Sequence, residues 1–198
     1  LEKSDKHVSF LNQTYDTKID YSAFEEQSIH LEGTSSLVLD RVNRQAYMGI
    51  SARSDPNLAH QWCQSRDYEL IEFDTKSHTG DAIYHTDVMM YIGTKLAVIC
   101  SECIVDNSRA LVLERLQSTH QIMEISSEQL VSFCGNCIEV CDEESNLHLI
   151  MSTTAYQGYS NEQKEVLLKY YKSIIHSDLE FIEKYGGGSA RCMIMELF

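Results

Sequence analysis

The alternation of apolar and polar segments repeats along the chain. Ser36–Asp40 and Ala46–Ile50 are short apolar runs either side of the polar Arg41-Val42-Asn43-Arg44-Gln45, and they predict two strands. Ser54-Asp55-Pro56 places a capping residue before a proline, which opens a helix. Leu58 and Trp62, four residues apart, share its buried face. Tyr68–Phe73 predicts a third strand, so the order is ββαβ. The order returns with strands at Val88–Ile92 and Lys95–Cys100 around the hairpin signal Gly93-Thr94. A helix over Asn107–Gln117 follows, with Ala110, Leu113 and Leu116 on one side, then a strand at Gln121–Ile125. The third round starts at Ile138–Val140 and Leu147–Met151. The capping box Ser160-Asn161-Glu162-Gln163 opens a long helix lined by Val166, Leu167, Tyr170 and Ile174. A strand at Leu179–Glu183 closes that round, and a fourth begins at Met193.

Units that cannot bury their own face stack on neighbours, in a row or around a ring. The pattern therefore predicts an α/β fold, an α/β-propeller of pseudo-symmetric ββαβ units. The segment before Gln27 reads as the tail of an earlier unit. Residues 1–198 are expected to form a single propeller domain lacking its N-terminal part.

Composition narrows the function classes. With 198 residues, 43% hydrophobic content and a mean hydropathy of −0.28, the chain is expected to be a soluble globular protein. No apolar run reaches the roughly 18 residues of a spanning helix. Leu1-Glu2-Lys3-Ser4-Asp5-Lys6 is too polar for a signal peptide. A net charge of −14 argues against nucleic acid and favours a small cationic substrate. Seven cysteines without a secretory signal suggest a reduced, cytoplasmic protein.

One polar residue leads into each first strand: Glu32, His85, Asn136 and Cys192, spaced by 53, 51 and 56 residues. In a pseudo-symmetric ring, equivalent positions converge on the central axis. A thiol, an imidazole and a carboxylate at one place are the groups of nucleophilic catalysis. Cys192 follows Gly186-Gly187-Gly188-Ser189-Ala190-Arg191, a turn that displays a thiol at a surface. His85 can move protons, and Glu32 can orient its ring. Asp87, two residues on in an extended stretch, is expected to point where His85 points, and a carboxylate there suits a planar cation.

Zinc is the rival reading, because Cys100-x-x-Cys103 and Cys134-x-x-Cys137 are two CxxC pairs. If Ala97–Ile104 stays extended, Cys100 and Cys103 face opposite sides of it and cannot share an ion. No local pair such as HExxH offers a catalytic zinc site either.

Four motifs stand together: Leu31-Glu32-Gly33-Thr34-Ser35-Ser36-Leu37-Val38-Leu39-Asp40, Tyr84-His85-Thr86-Asp87-Val88-Met89-Met90, Phe133-Cys134-Gly135-Asn136 and Gly186–Met193. As a set they resemble the guanidine-modifying superfamily of arginine deiminases, dimethylarginine hydrolases and amidinotransferases. The likeness is greatest to the arginine-deiminase-related, citrulline-forming branch. It runs from about Glu26 to Phe198 and implies a pentein-type five-fold propeller. It implies that Cys192 attacks a guanidinium carbon, that His85 protonates the leaving amine and then activates water, and that Glu32 pairs with His85. Asp87 would grip the guanidinium. Asn136 would sit at the same site, and Arg191 is a candidate contact for a substrate carboxylate. No metal or cofactor is implied, and the partner is a small guanidine substrate rather than a nucleic acid or a membrane. A homo-oligomer is left open. The residues shared with amidinotransferases leave amine transfer as an alternative to hydrolysis, and a non-catalytic member of the fold as a third.

Overall fold

The computed structural model describes residues 5–16 and 19–196. Helix α1 (Asp5–Thr14) and a 3₁₀ turn at Ser22–Gln27 precede the first repeat. The first unit is β1 (Val38–Asp40), β2 (Gln45–Gly49), α2 (Pro56–Arg66) and β3 (Glu69–Phe73). The second opens on a helical turn, α3 (Thr86–Met89), and continues through β4 (Met90–Ile92), β5 (Leu96–Ile99), α4 (Asp106–Gln117) and β6 (Gln121–Glu124). After the short α5 (Ser127–Val131), the third has β7 (Ile138–Cys141), β8 (Leu147–Ser152), α6 (Thr153–Gly158), α7 (Asn161–Leu167) and β9 (Ser173–Ser177). Helix α8 (Glu180–Gly186) and a 3₁₀ turn at Arg191–Met193 follow.

The three sheets share one topology. In each, the first strand pairs antiparallel with the second and the second parallel with the third. A parallel neighbour requires a crossover, which the helices supply. The first strands lie side by side, β1 against β4 and β4 against β7. Residues leading into those strands are thereby gathered from three units. Fully buried β5 (Leu96–Ile99) runs through the core, with Ala46, Met48 and Leu149 also excluded from solvent.

Local chemistry sets the helix starts. Asp55 caps α2, its carboxylate accepting from Leu58 N–H at 2.9 Å, with Pro56 in the first turn. Ser160 and Gln163 close the predicted capping box, and Ser126 and Gln129 form a second one at α5. The two glutamines also bond each other through their amides, at 2.6 and 3.2 Å, which ties α5 to α7.

The structure departs from the sequence expectations at several points. In α2 the buried residues are Leu58, Ala59 and Cys63, while Trp62 is only half-buried and packs on Tyr68. In α4, Val112 and Leu116 are buried and Ala110 is exposed. Val88 and Met89 belong to a helical turn rather than a strand. The Thr86 hydroxyl fixes that turn, donating to Ser36 O at 2.7 Å and accepting from Gly49 N–H at 2.8 Å. The predicted long helix stops at Leu167, and Ile174 lies in β9. Leu179–Glu183 is not a strand: α8 begins at Glu180, and Ser173–Ser177 is the run that lies parallel to β8. Short apolar runs fit a buried strand and a buried helical turn equally, so tertiary pairing decides between them. Met193 closes a 3₁₀ turn, and residues 194–196 form no strand. The rest of that predicted strand, residues 197–198, lies outside the described residues.

Candidate active site

Four turns deliver the site, the last being the glycine turn that carries Cys192. The first is Glu32–Ser36, where Ser36 N–H closes onto Glu32 O at 3.0 Å and Thr34 takes a left-handed φ of 71°. The Ser36 hydroxyl accepts from Glu32 N–H at 2.9 Å and donates to Arg53 O at 2.8 Å. In the second, His85 is extended ahead of α3 (φ −134°) and its ring packs on Tyr84. The third carries Asn136, after a left-handed Phe133 (φ 61°). A Cβ at Gly135 would lie 2.5 Å from Val88 O and 2.7 Å from Met89 C, so only glycine lets these backbones meet.

Their side chains converge as the spacing predicted. His85 Nε2 lies 2.6 Å from Glu32 Oε2. The Cys192 thiol donates to Asp87 Oδ2 at 3.4 Å. Asn136 is fully buried; its amide donates to Asp87 O at 2.9 Å and to Cys192 Sγ at 3.2 Å, and its Oδ1 accepts from Arg191 N–H at 3.0 Å. Asn136 therefore bolts the Asp87 and Cys192 turns together. A cleft of about 1190 Å³ opens onto Glu32, His85, Cys192 and the glycine turn. Asp87 and Asn136 lie behind Cys192 rather than on the cleft wall.

Two expectations need correction. His85 and Asp87 do not project from one face of an extended stretch, because Asp87 is inside the α3 turn. Both still reach the centre, one to Glu32 and the other to Cys192. Arg191 is not free to meet a substrate carboxylate: its guanidinium bonds Ile194 O at 2.8 Å and Glu196 at 3.2 Å, and Glu196 also takes Arg41 at 2.9 Å. Among the described residues the arginine that lines the cleft is Arg53, absent from the sequence expectations. It lies 3.6 Å from Glu32 Oε2 and over the Tyr84 ring. Its only sequence signal was its place just after the second strand of a unit.

The electrostatics favour a neutral thiol in the free site. Burial, then the Asp87 charge, push the Cys192 thiol up, against hydrogen bonds from Ser189 N–H and Asn136. Burial also raises Asp87, whose Oδ1 has no hydrogen-bond partner among the described residues. Tyr84 is pushed up to about 12 by burial and by Cys192 and Asp87. A planar cation docked here would satisfy Oδ1 and reverse the penalty on the thiolate.

The other thiols do not join this centre. Cys100 and Cys103 are not on opposite sides as an extended run would place them. A 3₁₀ turn at Ser101–Cys103 brings their sulfurs to 3.3 Å. Cys134 and Cys137 are buried and donate to Ala155 O and Cys134 O. Among the described residues no three His, Cys, Asp or Glu side chains come together as metal ligands. Likewise no described helix is long and apolar enough to cross a membrane.

Comparison with known proteins places these features in a wider group. A sequence profile of the family described as N,N dimethylarginine dimethylhydrolase, eukaryotic, matches residues 1–198. No curated protein matches the chain significantly in sequence. Among solved structures, the substrate-bound N-terminal domain of ArgZ, an arginine dihydrolase from the ornithine–ammonia cycle in cyanobacteria, has a TM-score of 0.73 at 18% identity; the match covers 93% of this chain and 61% of that one. AgrE in complex with ornithine and NAD+ gives 0.66 at 18%, covering 94% and 24%. A dimethylarginine dimethylaminohydrolase adduct with S-methyl-L-thiocitrulline gives 0.61 at 16%, covering 96% and 63%. At these identities the likeness is one of fold, and the repeated ββαβ units are those of a pentein-type α/β fold. The chain spans between about a quarter and three fifths of the length of these structures.

Proposed function

The chain belongs to the eukaryotic N,N dimethylarginine dimethylhydrolase family, and from that premise we propose that its Cys192 site hydrolyses the guanidinium C–N bond of arginine or a methylated arginine. The family is one of guanidino-group hydrolases. The observation that carries the reading is the Cys192–Asp87 pair, a thiol 3.4 Å from a buried carboxylate whose other oxygen has no hydrogen-bond partner among the described residues.

Asp87 lies behind Cys192, so a guanidinium entering the cleft has to turn the thiol aside before it places two N–H groups on that carboxylate, the fork geometry a carboxylate binds best. The guanidinium charge replaces the thiol proton as the partner of Asp87, and the thiol ionises against the cation, its proton passing to water in the cleft. The thiolate adds to the guanidinium carbon. The C–N bond breaks, and the departing amine takes a proton from His85, whose charged form Glu32 stabilises at 2.6 Å. The resulting thiouronium is attacked by a water that His85 deprotonates. The C–S bond breaks, and a ureido product leaves with the thiol restored. Asn136 holds the two turns in register throughout. Arg53 supplies the positive charge at the cleft for the substrate carboxylate, in place of Arg191.

The test is ureido-product and amine release from arginine, monomethylarginine and dimethylarginine, beside Cys192→Ser. Product from the wild type alone, with a far-ultraviolet spectrum shared by both proteins, is the expected result. Equal turnover in the serine variant would sink the assignment. Amidine transfer to added glycine at the expense of ureido product would redirect it to an amidinotransferase.

A further inference from the structure

Helix α8 is amphipathic the wrong way round. It exposes Phe181, Ile182 and Tyr185 and buries Glu183. A carboxylate is costly to bury unless its oxygens are hydrogen-bonded. Both are: Oε1 accepts from Ser189 Oγ and Oε2 from Thr154 Oγ1, each at 2.6 Å, the length of a charge-assisted bond. Thr154 belongs to α6 in the third unit. Ser189 is fully buried in the glycine turn that carries Cys192. That turn begins where Gly187, left-handed at φ 73°, returns its N–H to Glu183 O at 3.2 Å. It ends against Cys192, whose thiol the Ser189 backbone amide draws down against the effect of burial. A Cβ at Gly188 would sit 3.1 Å from Cys192 Cβ and 3.2 Å from its sulfur, so the loop lies directly against the thiol.

We propose that Glu183 is a positioning residue for the nucleophile: its carboxylate clamps Ser189 to α6 and so holds the glycine turn against the Cys192 sulfur. This rests on the reading of Cys192 as nucleophile. The clamp spans three segments that no backbone ladder joins, α6, α8 and the glycine loop ahead of the Arg191–Met193 turn. Without it, nothing else on the Ser189 side chain ties the glycine turn to the third unit.

The pH dependence of the thiol gives a sign that a bystander carboxylate cannot imitate. Deleting a nearby negative charge should, by Coulomb attraction and repulsion alone, make Cys192 easier to ionise. Letting the glycine turn and its Ser189 backbone amide drift from the sulfur should make it harder, since that amide favours the thiolate. The other charged and titratable groups around the sulfur, Asp87, His85 with its partner Glu32, Tyr84 and Arg191, are unchanged in the variants below.

The variants are Glu183→Ala, Ser189→Ala and Glu183→Gln, in a Cys141→Ser background that removes the exposed thiol. The measurements are the pH profile of Cys192 alkylation by iodoacetamide, and kcat and KM for the preferred guanidine. For both alanine variants, kcat should fall about 10–100-fold with KM within about threefold, the signature of lost alignment. Their alkylation inflection should move to higher pH. Glu183→Gln keeps a hydrogen-bonding group at each position and should stay within about threefold of the parent. An inflection that stays put or moves down in Glu183→Ala, with Ser189→Ala like the parent, overturns the proposal. If Glu183→Ala does not fold, Ser189→Ala, one oxygen smaller, decides it. If the parent itself shows no turnover, the hydrolase reading fails, and the alkylation profiles still judge the clamp.

Discussion

Replacing Asp87 by Asn should make Cys192 more reactive and the protein less active at once. The Asp87 oxygen lies 3.4 Å from the sulfur, and its charge is second only to burial in pushing the thiol up. Two unit charges about 4 Å apart interact by about 4 kcal/mol at an effective dielectric near 20. At about 1.4 kcal/mol per pH unit, removing that repulsion lowers the thiol inflection by at most about three units. An amide at this position can also donate to the thiolate, in the same direction. The sign follows directly: a thiol held high by a neighbouring anion ionises at lower pH once the anion is gone. Alkylation of Asp87→Asn near neutral pH should therefore be faster than in the parent, with its inflection about one to three units lower. Turnover should move the other way. Truncating one partner of a buried charged pair costs about 2–5 kcal/mol, or about 30- to 4,000-fold in kcat/KM. Folding should not suffer, since burial already works against a charged Asp87. The assay is iodoacetamide labelling against pH, followed by mass spectrometry of the Cys192 peptide, alongside steady-state kinetics and a thermal melt. An inflection unchanged or raised, or a kcat/KM within a few-fold of the parent, would refute both the electrostatic account of the thiol and the guanidinium clamp.

Gly135→Ala should lower the melting temperature by about 2–12 °C, as an overpacking cost of about 1–3 kcal/mol in a protein of this size. The cause is a Cβ facing the Val88–Met89 backbone, which cannot yield as a side chain would. An unchanged melt would contradict that close approach. Arg53→Ala should raise KM for arginine by about 10–100-fold, the loss of a hydrogen bond to a charged group. It should leave agmatine, which lacks the carboxylate, nearly unaffected; equal loss for both substrates would remove Arg53 from that role.

Much of the site was legible in the sequence. The ββαβ repeat sets which residues lead into first strands, and topology requires those strands to neighbour one another. This is why Glu32, His85, Asn136 and Cys192, spread over 161 positions of numbering, come together as two hydrogen-bonded pairs, Glu32 with His85 and Asn136 with Cys192. The Asp55–Pro56 helix start and the Ser160 capping box were equally local, since a cap involves only its own first turn. What tertiary structure decided was orientation. The sequence offered Arg191 as the substrate cation, but Glu196 and Ile194 O claim it, and Arg53, which no motif marked, lines the cleft. Val88-Met89 became a turn because the Thr86 hydroxyl bridges two backbone groups of the preceding unit. Glu183 ends the Leu179–Glu183 run that the sequence reads as a strand, and it lies in helix α8 instead. It is buried because two hydroxyls, one of them 29 residues away in sequence, satisfy its oxygens. Periodicity records which residues avoid water on average; only the folded chain supplies the distant donors that let a charged or turned residue do so too.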